Sequence, residues 1–213
     1  MSTQKLNPGT GLLLLVILSV AALRVATNFS PRLEPLATFT PIGAMALFGG
    51  AYFPGFARPF AFPMLTLFAG DIFLSFTVYA SYRSGLLYTG WFWTYLAFAG
   101  MVLAGKLILQ PLTIKRMFIS VIAVTLIHWL VSDVGGCLRE AGLSASLIVY
   151  FQRLVAAIPF ELRFLAGTVV YGGVMFGAVE SRLLRLKRIP RAKRDAAYET
   201  RRYPQPVEKY KES

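Results

Sequence analysis

The chain has 213 residues, of which 56% are hydrophobic and only 15% are charged, and its mean hydropathy is +0.58. This balance is far more apolar than that of an ordinary soluble domain. Because one membrane span needs about 20 apolar residues, the chain has room for roughly five to seven spans and for no separate soluble domain. The net charge of +12 is uneven, since residues 182–213 alone carry eleven Lys and Arg.

Six helices are predicted from the apolar runs, over about 11–27, 41–53, 60–80, 91–109, 117–134 and 162–181. The first run is expected to be retained rather than cleaved, because no small-residue cleavage motif precedes Arg24. The run 41–53 is short and rich in glycine, so it either spans or re-enters the membrane. Residues 135–142 predict a loop, and residues 143–158 predict an amphipathic helix that Pro159 interrupts.

The distribution of Lys and Arg predicts the topology. With the N-terminus inside, sixteen of these residues lie in cytoplasmic segments and six in outer segments. The chain is therefore divided into a transmembrane domain, 1–181, with both termini cytoplasmic, and a basic, flexible cytoplasmic tail, 182–213, held near anionic lipid. The tail has no recognisable nucleic-acid-binding module, so we expect the lipid bilayer and no nucleic acid as its partner.

Asp71 is the most informative residue of the sequence. It lies near the middle of the predicted span 60–80, where an ionised carboxylate is costly unless it has a partner, water or a ligand. Two interpretations stay open. Asp71 either belongs to a functional polar site, or it pairs with an Arg or with hydroxyl groups only to hold helices together.

Other polar side chains in or near the spans are candidates to join Asp71 in an outward-facing binding pocket: Thr38, Thr40, Tyr88, Tyr95, His128, Asp133, Arg153 and Glu161. His128 could instead be a satisfied core histidine, and Arg153 could extend to the membrane surface. The aromatic segment 88–95, which includes Trp91 and Trp93, is typical of an interfacial aromatic belt. The alternative is a stacking wall for a planar ligand.

The sequence contains no catalytic or metal-binding motif. Nucleophile-elbow, zinc-protease, P-loop and dinucleotide signatures are all absent. The single histidine, His128, and the single cysteine, Cys137, are about 2.5 helical turns apart and would lie on opposite helix faces. We therefore expect no enzyme activity and no metal site, and the sequence does not identify a cofactor.

Four segments carry a resemblance: FTPIGAMALFGGAYF (39–53), AGDIFLSF (69–76), YTGWFWTYLAF (88–98) and AAIPFELRFLAGTVVYGGVMFGA (156–178). They resemble a family of uncharacterised bacterial six-helix proteins described as transport proteins. That family is similar to the substrate-binding S components of energy-coupling-factor (ECF) transporters. This chain differs from the family pattern at Ala37-Thr38, Asp133 and Thr168.

The resemblance implies an S-component-like bundle of about six transmembrane helices in the bacterial cytoplasmic (inner) membrane. Such a protein binds a small, vitamin-like nutrient from the outer side, cobalamin being one candidate, and docks on an ATPase-driven coupling module. Its lid would be formed by 28–40, 81–90 and 135–160. The alternative is an accessory or structural subunit of a larger membrane complex, in which the glycines of 41–53 and the basic tail would contact other membrane subunits.

Overall fold

The computed structural model is all-α and describes residues 10–29, 32–141 and 147–188. Its helices are α1 (Thr10–Phe29), α2 (Glu34–Thr38), α3 (Ile42–Tyr52), α4 (Ala57–Phe76), α5 (Trp91–Ile108), α6 (Ile114–Ala141) and α7 (Leu147–Arg188). Five of them, namely α1, α4, α5, α6 and α7, are long and apolar enough to cross a membrane. The prediction of a multi-pass, all-helical membrane protein is confirmed at this level.

Helix α3 lies at the centre of the bundle, and on its own it is too short to cross the whole hydrocarbon layer. Its 11 residues are all buried, and at 1.5 Å per residue they cover about 16 Å of a hydrocarbon layer that is about 30 Å thick. Glycines bring its backbone against α5, because a Cβ at Gly105 would lie 2.8 Å from the Leu47 carbonyl oxygen. A Cβ at Gly50 would also overlap the Val102 carbonyl.

The spanning helices pack around α3 and leave their outer faces apolar. α3 contacts α4 and α5, α1 packs on α4, and α5 packs on α6. Large aliphatic side chains stay exposed along α1 and α6, among them Leu15, Leu18, Ile122 and Leu126. Exposed apolar faces of this extent fit a lipid environment, because a bilayer solvates such side chains while water does not.

A short hairpin covers the end of the bundle where α4 ends and α5 begins. β1 (Arg83–Ser84) pairs antiparallel with β2 (Leu87–Tyr88), and Gly85 provides the positive φ of +74° that the turn requires. The hairpin buries Leu87 and Tyr88. At the start of α5, Gly90 has φ of +87°, and a Cβ there would lie 2.8 Å from the Gly135 carbonyl oxygen.

Three predicted boundaries were wrong. The span predicted at 60–80 is α4 over Ala57–Phe76. Of the loop predicted at 135–142, residues 135–141 are helical, since α6 continues to Ala141, and residue 142 lies outside the described residues. Pro159 does not interrupt its helix, because α7 runs through it from Leu147 to Arg188.

The described residues up to Met175 form one compact unit, and those from Phe176 form a second. The candidate site described below lies entirely in the first unit. The predicted tail lies in the second, where α7 extends to Arg188 and residues 189–213 fall outside the described residues.

Candidate functional site: a polar cavity at one end of the bundle

Asp71 forms a buried ion pair with Arg24. The Asp71 side chain is fully buried on α4, and its Oδ1 accepts a hydrogen bond from Nη2 of Arg24 on α1 at 2.8 Å. Gly70 leaves room for the arginine, because a Cβ there would lie 3.2 Å from the Arg24 Cδ. The pair ties two spanning helices together, as the structural interpretation of Asp71 requires.

Tyrosines surround this ion pair. The Tyr88 hydroxyl lies 3.5 Å from Oδ2 of Asp71, and the Tyr79 hydroxyl donates to Oδ1 of Asn28 at 2.7 Å. Burial, with a further contribution from the negative charge of Asp71, raises the pKa of Tyr88 above its usual range. Tyr88 therefore keeps its proton at neutral pH and acts as a donor toward the carboxylate.

A second group of charges lies between α6 and α7. Nδ1 of His128 is 2.8 Å from Oε1 of Glu161, and Nε of Arg153 is 3.2 Å from Oδ1 of Asp133. The imidazole of His128 is stacked on the ring of Phe164, with centroids 4.2 Å apart and planes inclined by 16°. α6 and α7 therefore hold two acid–base pairs side by side.

Each of the two carboxylates in this group has an oxygen left over. Asp133 is 8% exposed and Glu161 is 7% exposed. Within the part of the chain that the structure describes, Oδ2 of Asp133 and Oε2 of Glu161 have no hydrogen-bond partner. A buried acceptor without a partner is costly, so these two atoms are where an incoming donor would gain most.

Both groups of charges border one cavity of about 330 Å³. This volume lies at the lower end of the range for small-molecule sites. Its lining includes seven of the predicted site residues: Thr38, Thr40, Tyr88, His128, Asp133, Arg153 and Glu161. The lining also draws on all three segments predicted to form a lid, 28–40, 81–90 and 135–160.

The other four predicted site residues are not among those that line the cavity. Asp71 lies behind its wall and contacts two residues that do line it, Arg24 and Tyr88. The Tyr95 hydroxyl is buried and interacts electrostatically with Asp71. Trp91 is 40% exposed, and Trp93 packs against the backbone at Gly135. Their role in ligand binding stays a prediction.

Several lining residues were missed from the sequence: Arg24, Tyr79, Thr89, Thr94, Phe98, Ser132, Gly135, Gly136, Phe160 and Phe164. Arg24 directly follows an apolar run, so in the sequence it has the appearance of an ordinary charge flanking a span. The two glycines lie in the segment predicted as a loop. Gly136 has a specific role, because a Cβ there would overlap the guanidinium of Arg153.

The cavity provides hydrogen-bond donors, acceptors and aromatic rings, a combination suited to holding a small polar molecule. Among the described residues, no group of three or more His, Cys, Asp and Glu side chains is placed to hold a metal ion. Cys137 is buried and is not among the lining residues.

Comparison with known proteins provides a family and no function. Neither a curated protein nor a solved structure matches the chain. A family of unknown function, DUF6580, matches residues 4–191, which include all the described helices. The chain belongs to this uncharacterised family.

Proposed function

We propose that the protein is a membrane-embedded binding subunit that captures a small polar nutrient for uptake across a bacterial inner membrane. The observation that carries this proposal is the cavity of about 330 Å³ among helices of membrane-spanning length. Ionisable side chains within membrane-spanning helices are expensive, and by default they indicate a site for a substrate or an ion. The unpaired oxygens of Asp133 and Glu161 support a ligand rather than a purely structural role.

The cavity would open toward the outer side. The basic residues of 182–213 favour cytoplasmic termini. Five of the described helices are long enough to cross alone, so two cytoplasmic termini would require the segment that contains α3 to make the sixth passage. With the N-terminus inside, α1 would end at the outer face, and Arg24 of the cavity wall lies near that end of α1.

Energy for uptake would come from a partner. The sequence contains no P-loop, and S components of ECF transporters, which the chain resembles, dock on an ATPase-driven coupling module. The segments that border the cavity, 28–40 and 81–90, would then act as the lid over the bound nutrient.

Native mass spectrometry of the protein, gently solubilised from its own host without added ligand, tests this function. We expect a reproducible small-molecule adduct that Asp133→Asn and Glu161→Gln each weaken or remove. Glu180→Gln is the matched control, because it removes a carboxylate from the same helix as Glu161 but not from the cavity lining. The adduct should survive in this control.

A different result would favour the alternative of an accessory or structural subunit. In that result the polypeptide carries stoichiometric protein partners and no small adduct, and the native mass spectra of Asp133→Asn and Glu161→Gln show the same partners. Partners that form an ATPase pair would instead agree with an uptake system.

A further inference from the structure

The charges around the cavity do not balance. In the part of the chain that the structure describes, three carboxylates, of Asp71, Asp133 and Glu161, face two guanidinium groups. Arg24 compensates Asp71, and Arg153 compensates Asp133. Glu161 has only the imidazole of His128, which carries a positive charge only when it is protonated.

Among the described residues, no cation other than Arg153 is recorded beside His128 and its carboxylate neighbours. The charged groups near it are Asp133 on its own helix and Glu161 and Arg153 on α7, while α5 presents the ring of Phe98, 5.5 Å from the imidazole centroid. With a neutral imidazole, the described part of the site therefore holds one negative charge in excess. An excess charge on buried side chains is unfavourable, and either a proton or a bound cation would neutralise it.

The atoms that carry the excess negative charge indicate which kind of cation would bind. Two carboxylate oxygens of the lining, Oδ2 of Asp133 and Oε2 of Glu161, are buried acceptors without a hydrogen-bond partner among the described residues. Acceptors of this kind are best satisfied by charged N–H donors. Phe98, Phe160 and Phe164 line the same cavity, and aromatic faces also attract organic cations.

We propose that the ligand of this cavity is a small organic ammonium compound, whose N–H groups donate to Asp133 and Glu161 while the phenylalanine rings pack on its carbon frame. This inference rests on the proposed function, because it assigns a ligand class to the same cavity. The ammonium group supplies the positive charge that Glu161 otherwise draws only from a protonated His128.

Three probes of similar size separate charge from shape: benzylammonium, benzyl alcohol and benzoate. Their binding to the full chain in lipid nanodiscs is measured at neutral pH by isothermal titration calorimetry. We expect benzylammonium to bind about tenfold or more tightly than either other probe, as one charge-assisted hydrogen bond would provide. Glu161→Gln should weaken benzylammonium binding by a similar factor, while Glu180→Gln should leave it within about twofold.

The inference is overturned if benzyl alcohol or benzoate binds as tightly as benzylammonium, or if Glu161→Gln leaves benzylammonium binding unchanged. It is also overturned if none of the three probes binds. The comparison among probes on the unmodified protein stands even if the variant fails to fold. A neutral or acidic adduct from the host would refute the ammonium ligand class and leave the proposed binding function intact. If the protein carried no adduct and bound none of the probes, both the ligand class and the binding function would be refuted.

Discussion

Removal of the Asp71 charge should lower the free energy of unfolding, even though Asp71 is not among the residues that line the cavity. In Asp71→Asn the guanidinium of Arg24 stays close to a fully buried position without its counter-ion. Removal of one partner of a buried ion pair costs about 3–5 kcal/mol. The asparagine amide can still accept the hydrogen bond from Arg24, so we expect about 3 kcal/mol, a change of more than a hundredfold in the unfolding equilibrium constant.

A double-mutant cycle isolates this term. Arg24→Met leaves Asp71 as the buried, unpaired charge and should also cost about 3–5 kcal/mol. The double variant Arg24→Met/Asp71→Asn contains neither charge, so it should cost well below the sum of the two single changes. Unfolding free energies are measured by circular dichroism in mixed dodecyl maltoside and SDS micelles. Additivity of the two changes within about 0.5 kcal/mol would refute the coupling of these side chains.

This expectation changes how Asp71 should be used as a probe of function. Loss of ligand binding in Asp71→Asn would not separate a binding subunit from a structural one, because the ion pair joins α1 to α4 in either case. Asp133 and Glu161 are better probes, since both line the cavity and each has an oxygen that no described residue engages.

Three further predictions concern the glycines and the topology. Gly136→Ala should displace the Arg153 guanidinium and weaken binding of the small-molecule adduct about tenfold in native mass spectrometry. Gly173→Ala is the control and should have no effect, because a Cβ there meets nothing within 4 Å. Equal adduct levels in the two variants would contradict the steric argument. Gly105→Ala should force α5 away from α3 and lower the unfolding free energy by about 1–3 kcal/mol in the same micelle assay, and an unchanged value would be contrary evidence. In the variant Ser213→Cys with Cys137→Ser, the introduced cysteine should not be labelled by a membrane-impermeant maleimide in intact cells, and it should be labelled after lysis. Labelling in intact cells would place the C-terminus outside.

The spans were predictable because membrane helices leave a simple signal. The hydrocarbon layer requires long apolar stretches, and the runs beginning near residues 11, 91 and 117 meet that requirement over most of α1, α5 and α6. The shortness of 41–53 was also visible in the sequence. Its position at the centre of the bundle was not, because burial on all sides depends on contacts with residues more than 50 positions away along the chain.

Two of the boundary errors arose because the sequence rules for loops and helix breaks describe proteins in water. Gly135 and Gly136 predicted a loop, but here they serve close contacts with Gly90 and Arg153 inside a continuous helix. Pro159 predicted a break, yet a helix in an apolar environment has no solvent to satisfy a freed backbone group and so stays helical. The Trp129 indole donates to the Leu154 carbonyl at 3.0 Å in the same region of α7.

The candidate site was recognisable by residue type but not by pairing. A carboxylate in a span is a strong signal of a polar site, and it drew attention to Asp71. Its partner, Arg24, is 47 residues away and has the appearance of an ordinary flanking charge. A single sequence does not reveal such a long-range pair, so it left open whether Asp71 binds a ligand or pairs with an Arg. The structure pairs Asp71 with Arg24 behind the cavity wall.

The half-length helix α3 explains why a cavity exists at this end of the bundle. Five helices can cross the layer, whereas α3 begins only at Ile42 and covers about half of the hydrocarbon thickness. The space beyond its N-terminus cannot be filled by α3 itself, and Thr40, two residues before the helix, lines the cavity there. A bundle of six full spans would have closed this space with apolar side chains. Lengthening α3 by one turn of alanines ahead of Ile42 should therefore fill the cavity and abolish adduct formation, while the apolar contacts of α3 with α4 and α5 are kept.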